Sequence, residues 1–128
     1  MQSLVIHLII IAMVSLAVGC SAETETKEQT VNRMLEEGNY EEALEVARAQ
    51  ADETGEDALL IDAHLAYANY LTHEADHLAM GERMADALAH FRRVLKLDDT
   101  NTQAQSHIEL IEGIYGQLGR EVPQGVAE

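Results

Sequence analysis

Tryptophan is missing from this chain, phenylalanine appears once, and aromatic residues make up only 4% of it. A core built on large rings is therefore excluded, and small aliphatic side chains must fill most of it. Cysteine occurs once, at Cys20, which excludes an intramolecular disulfide. Proline occurs once, at Pro123. No residue before it lacks a backbone N–H, so helices can run uninterrupted. Basic residues are scarce, 8 Lys plus Arg against 23 Asp plus Glu, for a formal net charge of −15. That balance excludes a broad cationic surface for a nucleic-acid backbone and gives no electrostatic pull toward anionic lipid. The acidity fits a solvated surface, or adaptation to salt, with Lys confined to Lys27 and Lys96, or a docking face for a basic partner. Charge alone leaves the three open.

What is present is 128 residues, 47% of them hydrophobic, room for one domain. Ala, Leu and Glu are abundant and no proline interrupts them, which predicts an all-α fold.

The first twenty residues stand apart. Leu4 to Val18 is an apolar run interrupted by His7. It suits the hydrophobic region of a secretory signal and is short for a membrane span of roughly 20 residues. It ends in Leu16-Ala17-Val18-Gly19-Cys20, which resembles the lipobox of bacterial lipoproteins. The resemblance implies that residues 1–19 are a cleaved signal peptide and that Cys20 is the lipid-attachment residue, acylated on its thiol and on the new amino terminus. Several acyl chains anchor stably where one is marginal. Ser21 after the cysteine implies, by enterobacterial sorting, an outer-membrane protein facing the periplasm. Residues 20–30, polar and small, read as a flexible tether. The amino-terminal Met1-Gln2-Ser3 carries no Lys or Arg, a departure from the usual signal pattern.

Five helices are expected after it. The first runs from Thr26 to Glu37 with Val31, Met34 and Leu35 inward, and Gly38 stops it. Asn39 caps the second, with Glu42 completing a capping box, and Thr54-Gly55 ends it. Its inward residues are Ala43, Leu44, Val46, Ala47 and Ala51. The third starts at Glu56-Asp57 and reaches Met80 with a stripe of Leu60, Ala63, Tyr67, Tyr70, Leu71, Ala75 and Leu78. Gly81 separates it from the fourth, Glu82 to Leu97, whose inward face holds Met84, Ala87, Leu88, Phe91, Val94 and Leu95. Thr100 with Gln103 caps the fifth, which carries Ala104, Ile108, Ile111, Ile114, Tyr115 and Leu118 and ends at Gly119. The folded domain then spans 31–119, and 120–128 is a tail.

Gly38, Tyr40 and Ala43, with a second copy in Ala87, Phe91 and Leu97-Asp98-Asp99, resemble the tetratricopeptide repeat, a helix–turn–helix unit of about 34 residues. The resemblance implies antiparallel helix pairs in a right-handed array, here two degenerate repeats plus a carboxy-terminal capping helix, with a concave face that holds peptides. Tyr67 and Tyr70 either line that face or pack between helices with their hydroxyls at the rim. Ala43 and Ala87 stand further apart than one repeat, and Ala47 occupies a position where an aromatic is usual.

His73-Glu74-Ala75-Asp76-His77 matches the H-E-x-x-H pattern of zinc hydrolases. On one helix His73 and His77 would share a face, and Glu74 could take a proton from a metal-bound water. The longer form of the motif needs glycine and histidine where Met80 and Arg83 stand, Asp76 charges a normally uncharged position, and Glu109 and Glu112 sit in no motif as third ligands. His64 reads as a core-edge residue, and His90 and His107 as isolated. The expectation is a non-enzymatic protein without a cofactor. It acts as an interaction scaffold or accessory subunit for protein partners in the cell envelope, held at the membrane through Cys20 and binding no nucleic acid. The competing readings are a zinc hydrolase using His73, Glu74 and His77, and a periplasmic binder of a small molecule or metal.

Overall fold

The computed structural model describes residues 24–128 and contains five helices and, among the described residues, no strand. They are α1 (Lys27–Glu36), α2 (Tyr40–Thr54), α3 (Ala58–His73), α4 (Met80–Leu97) and α5 (Thr102–Gln117). Short connectors turn the chain back after each, and every helix packs on the one before it, while α1 also touches α3. The lipobox and Cys20 lie outside the described residues. Within those residues no helix is long and apolar enough to cross a membrane.

Local chemistry explains most boundaries. Thr26 caps α1: its hydroxyl accepts from Gln29 N–H at 3.2 Å, and the Gln29 side chain accepts from Thr26 N–H at 2.9 Å. The capping box sits here and not at Asn39, whose side chain makes no cap bond and donates instead to Glu37 at 3.2 Å. Helix α1 thus begins four residues before Val31, within the stretch read as tether. It closes at Gly38, where φ is +80° and Asn39 N–H reaches back to Met34 C=O at 2.8 Å. Only glycine adopts that backbone freely.

Three boundaries differ from expectation. Helix α3 ends at His73, not Met80: Glu74 leaves helical geometry, and Glu74 N–H and Ala75 N–H both turn back to Tyr70 C=O. Burial of Ala75 in the core and an Arg83–Asp76 ion pair at 3.2 Å hold the turn. Gly81 is accordingly inside α4, which opens at Met80. The fifth helix is capped by Asn101, whose side chain accepts from Ala104 N–H at 3.0 Å, because the Thr100 hydroxyl is engaged by Asp98 at 2.7 Å.

The core forms two layers that share α3. Val31, Ala43, Leu44, Ala47, Ala51, Leu60 and Ala63 fill the first. Ala68, Leu71, Ala75, Met84, Leu88, Phe91, Ile111 and Tyr115 belong to the second, and Tyr67 packs against both. Leu118, expected inward, is 59% exposed because it lies beyond the last turn of α5. The tail from Glu121 has no regular structure, yet it is docked. Arg92 donates to Pro123 C=O at 2.6 Å and Gly125 C=O at 3.2 Å, and Ala127 N–H donates to Ala89 C=O at 3.0 Å.

Phe91 is fully buried, with its ring stacked on His107 at 4.6 Å. Phe91→Ala should cost about 3–5 kcal/mol through lost burial and a residual cavity. Urea unfolding would report this as a lower midpoint at an unchanged slope. Thr26→Ala should cost only about 1 kcal/mol, since it loses a cap on an exposed turn.

Candidate functional site

Helices α2 and α4 both lean on α3 rather than on each other, and a groove lies between them. Its floor comes from α3. Tyr67 and Tyr70 are one turn apart there, and Tyr40, the first residue of α2, reaches over both. The Tyr40 and Tyr67 rings are parallel within 3° at 5.0 Å, and Tyr40 and Tyr70 lie 4.7 Å apart. Tyr67 in turn meets His90 of α4 at 4.7 Å. His90 meets His64 of α3, with the two Nδ1 atoms 2.9 Å apart. Ring contacts therefore run continuously from the mouth of α2 to the buried interior.

The groove has two open stretches that share Glu41 and Tyr67. One, of about 430 Å³, includes Glu45, Arg48, Asp86, His90, Ala127 and Glu128 in its lining. The other, of about 280 Å³, includes Tyr40, Glu42, Tyr70 and His77. Carboxylates crowd the rings. Burial, and then Glu41 and Asp86, raise the Tyr67 hydroxyl pKa, while burial and then Glu74 raise that of Tyr40. The residues singled out as a peptide-binding face, Tyr67 and Tyr70, are thus half-buried wall and floor at once, and Tyr40 joins them.

The histidines fall out differently from expectation. His64 has no exposed surface, so it belongs to the core itself. His90 is not isolated, since it bonds His64, and His107 stacks on Phe91 and meets the His73 ring at 5.9 Å. Nothing local in the sequence links positions 64 and 90; only the packing of α3 on α4 joins them. Burial lowers His64 to about 3, reinforced by His90, Arg93 and Arg48. Burial lowers His90 to about 4, opposed by the Asp86 carboxylate. Both rings are neutral at neutral pH, so one Nδ1–H donates to the other Nδ1. His64 Nε2 has no partner among the described residues.

The H-E-x-x-H segment is not a helix face. His73 is the last residue of α3 and His77 lies in the turn, so the i,i+4 geometry that brings two imidazoles onto one ion is lost. His77 faces the tyrosine stretch of the groove, while His73 sits against His107. Glu112 is paired with Arg92 at 3.0 Å. Among the described residues no three His, Cys, Asp or Glu side chains are grouped to hold a metal.

The buried histidine pair dictates a pH response. In the unfolded chain these rings take up protons near 6.5, and in the folded chain only near 4 and 3. Between those values the unfolded state binds more protons, so stability falls as pH drops below 6.5. Each histidine contributes a slope of up to about 1.4 kcal/mol per pH unit. His107, lowered by burial and by His73, adds to it. Glu25, Glu53 and Asp98, all lowered by hydrogen bonds, lose their stabilising effect only at more acid pH. Denaturant titrations between pH 6.5 and 5 should therefore show a decline that His64→Leu with His90→Leu makes shallower. No protein-family model matches the chain, and no curated protein or solved structure is significantly similar to it.

Proposed function

We propose that this chain is a lipid-anchored interaction module of the bacterial cell envelope. Cys20 carries the acyl anchor, and the helices stack as degenerate tetratricopeptide-like pairs, α2 with α3 and α4 with α5. The groove across α2 and α4 receives a partner protein. In this reading the spare helix is α1, in front of the pairs, where the sequence suggested a cap at the other end. The module performs no catalysis of its own and acts as a scaffold or accessory subunit.

The observation that carries this reading is the seating of the chain's own tail. The tail lies against α4, with Ala127 N–H on Ala89 C=O and Arg92 on the Pro123 and Gly125 carbonyls, and Ala127 and Glu128 line one end of the groove. A helical wall that accepts its own tail through main-chain bonds has the donors and acceptors to accept another peptide. Matching burial of Ala43 and Ala87, both without exposed surface, supports the repeat assignment. The apolar run to Val18, followed by Gly19-Cys20, supports the anchor.

Two measurements test it. Cys20→Ser should abolish incorporation of labelled fatty acid and move the protein out of the membrane fraction. A photo-crosslinking residue in place of Glu45, on the exposed rim, should capture one discrete envelope protein, whereas the same residue in place of exposed Glu109 should not. Unlabelled protein that stays soluble as wild type removes the anchor. An absence of any discrete adduct from several rim positions removes the module.

A further inference from the structure

We propose that the groove across α2 and α4 takes an extended, cationic segment of the partner, with lysine or arginine side chains lying against the tyrosine floor between the carboxylates of Glu41 and Asp86. The inference rests on the interaction-module reading and adds the partner's chemistry to it.

Charge complementarity is the first argument. Glu41, Glu42, Glu45, Asp86 and Glu128 contribute to the lining, and Arg48 is its one Lys or Arg. The groove is thus an acidic concavity, and its walls concentrate the field of those carboxylates.

The floor supplies the second. Tyrosine rings present electron-rich faces that attract an ammonium or guanidinium within about 6 Å, by about 0.5–1 kcal/mol where exposed and more where water is excluded. Tyr40, Tyr67 and Tyr70 are half-buried and all line the open stretch beside Glu41 and Glu42. Glu41 and Asp86 act on the Tyr67 hydroxyl from α2 and α4 respectively. Tyr40 stacks on that ring and His90 packs against it, so a cation beside Tyr67 would meet carboxylates from both sides, with Tyr40 and Tyr70 as the aromatic lining of the open stretch next to it.

The third is shape. The tail from Val122 to Glu128 shows how an extended chain lies against α4, with Ala89 C=O accepting and Arg92 donating to main-chain groups. The tail brings no Lys or Arg of its own, and none of its residues lines the Tyr40–Tyr70 stretch. Glu41 and Tyr67 line both stretches, so a cationic segment entering from that open end runs past them toward Asp86. A flat acidic surface would attract any cation equally; a floored groove with main-chain partners along its wall favours a peptide.

The test uses the full chain in nonionic detergent micelles and three fluorescent peptides of about ten residues, alternating alanine with lysine, glutamine or glutamate. The lysine peptide should bind, and its affinity should fall about tenfold between roughly 0.05 and 0.3 M salt. Glu41→Gln with Asp86→Asn changes two exposed residues and should weaken binding about tenfold, while Glu109→Gln on α5 should change it less than about twofold. If the glutamine or glutamate peptide binds as well as the lysine peptide, the cation is not what the groove reads, and the module reading stands without it. Unchanged lysine-peptide binding in the double variant places the site elsewhere and overturns the inference. Equal binding of free N-acetyl-lysine amide makes the site one for a small cation and overturns the peptide. No binding by any peptide also overturns the inference, and the Glu45 crosslink then decides separately whether the groove meets a protein.

Discussion

The separation of the helices is set by alanine. Ala43, Ala47, Ala63, Ala68, Ala87 and Ala104 on the helices, and Ala75 in the turn after α3, have no exposed surface. Small side chains let backbones approach, and larger neighbours then interdigitate. In a chain without tryptophan this close approach replaces bulk. It also makes the two core layers unequal. The second holds Phe91, Leu71, Leu88 and Ile111, while the first relies on Val31, Leu44 and Leu60 among its alanines. Helix α1 therefore leans more on its ends: the Thr26–Gln29 box, the Gly38 turn and the Lys27–Glu53 pair. An exposed pair of that kind contributes at most about 1 kcal/mol, so it adds little to the hold that buried Val31 gives α1.

The groove follows from the same constraint. Helix α3 lies between the layers and gives each of them apolar residues, so α2 and α4 flank it and expose part of its surface between them. What α3 shows there is aromatic, Tyr67 and Tyr70, and its buried side carries a polar residue, His64, among aliphatic ones. A neutral imidazole bonded to His90 satisfies one nitrogen and leaves the other bare, which costs more than leucine would. Such a bond can form in only one register of α3 against α4, so it fixes where Tyr67 stands relative to Asp86 and His90. Packing order and groove geometry are then one property, and acid that protonates the pair disturbs both.

Much of this was legible from residues alone. The helical class, the turns at Gly38, Gly55 and Gly119, and the inward positions of α2 and α4 follow from spacing and from backbone preferences local to each turn. The end of α3 was not legible, because the apolar stripe continues through Ala75 and Leu78. Those residues do pack inward, but from a turn. Periodicity reports which side chains are buried and not whether the backbone between them stays helical. Asn39 does stand at the N-cap of α2, but neither its side chain nor that of Thr100 makes a cap bond. Each has a nearby acid, Glu37 or Asp98, that takes its side chain first. The His64–His90 contact has no local signature at all, since it depends on how two helices slide past each other.

The acidity of the chain acquires a location. A solvated acidic coat would spread carboxylates over convex surface, where water screens them from one another. Salt adaptation predicts the same, because exposed carboxylates on open surface serve it as well as any. Neither accounts for Glu41 and Asp86 on opposite helices acting on one half-buried tyrosine. A basic segment entering the groove would meet both carboxylates at once, which is the chemistry the proposed partner would supply.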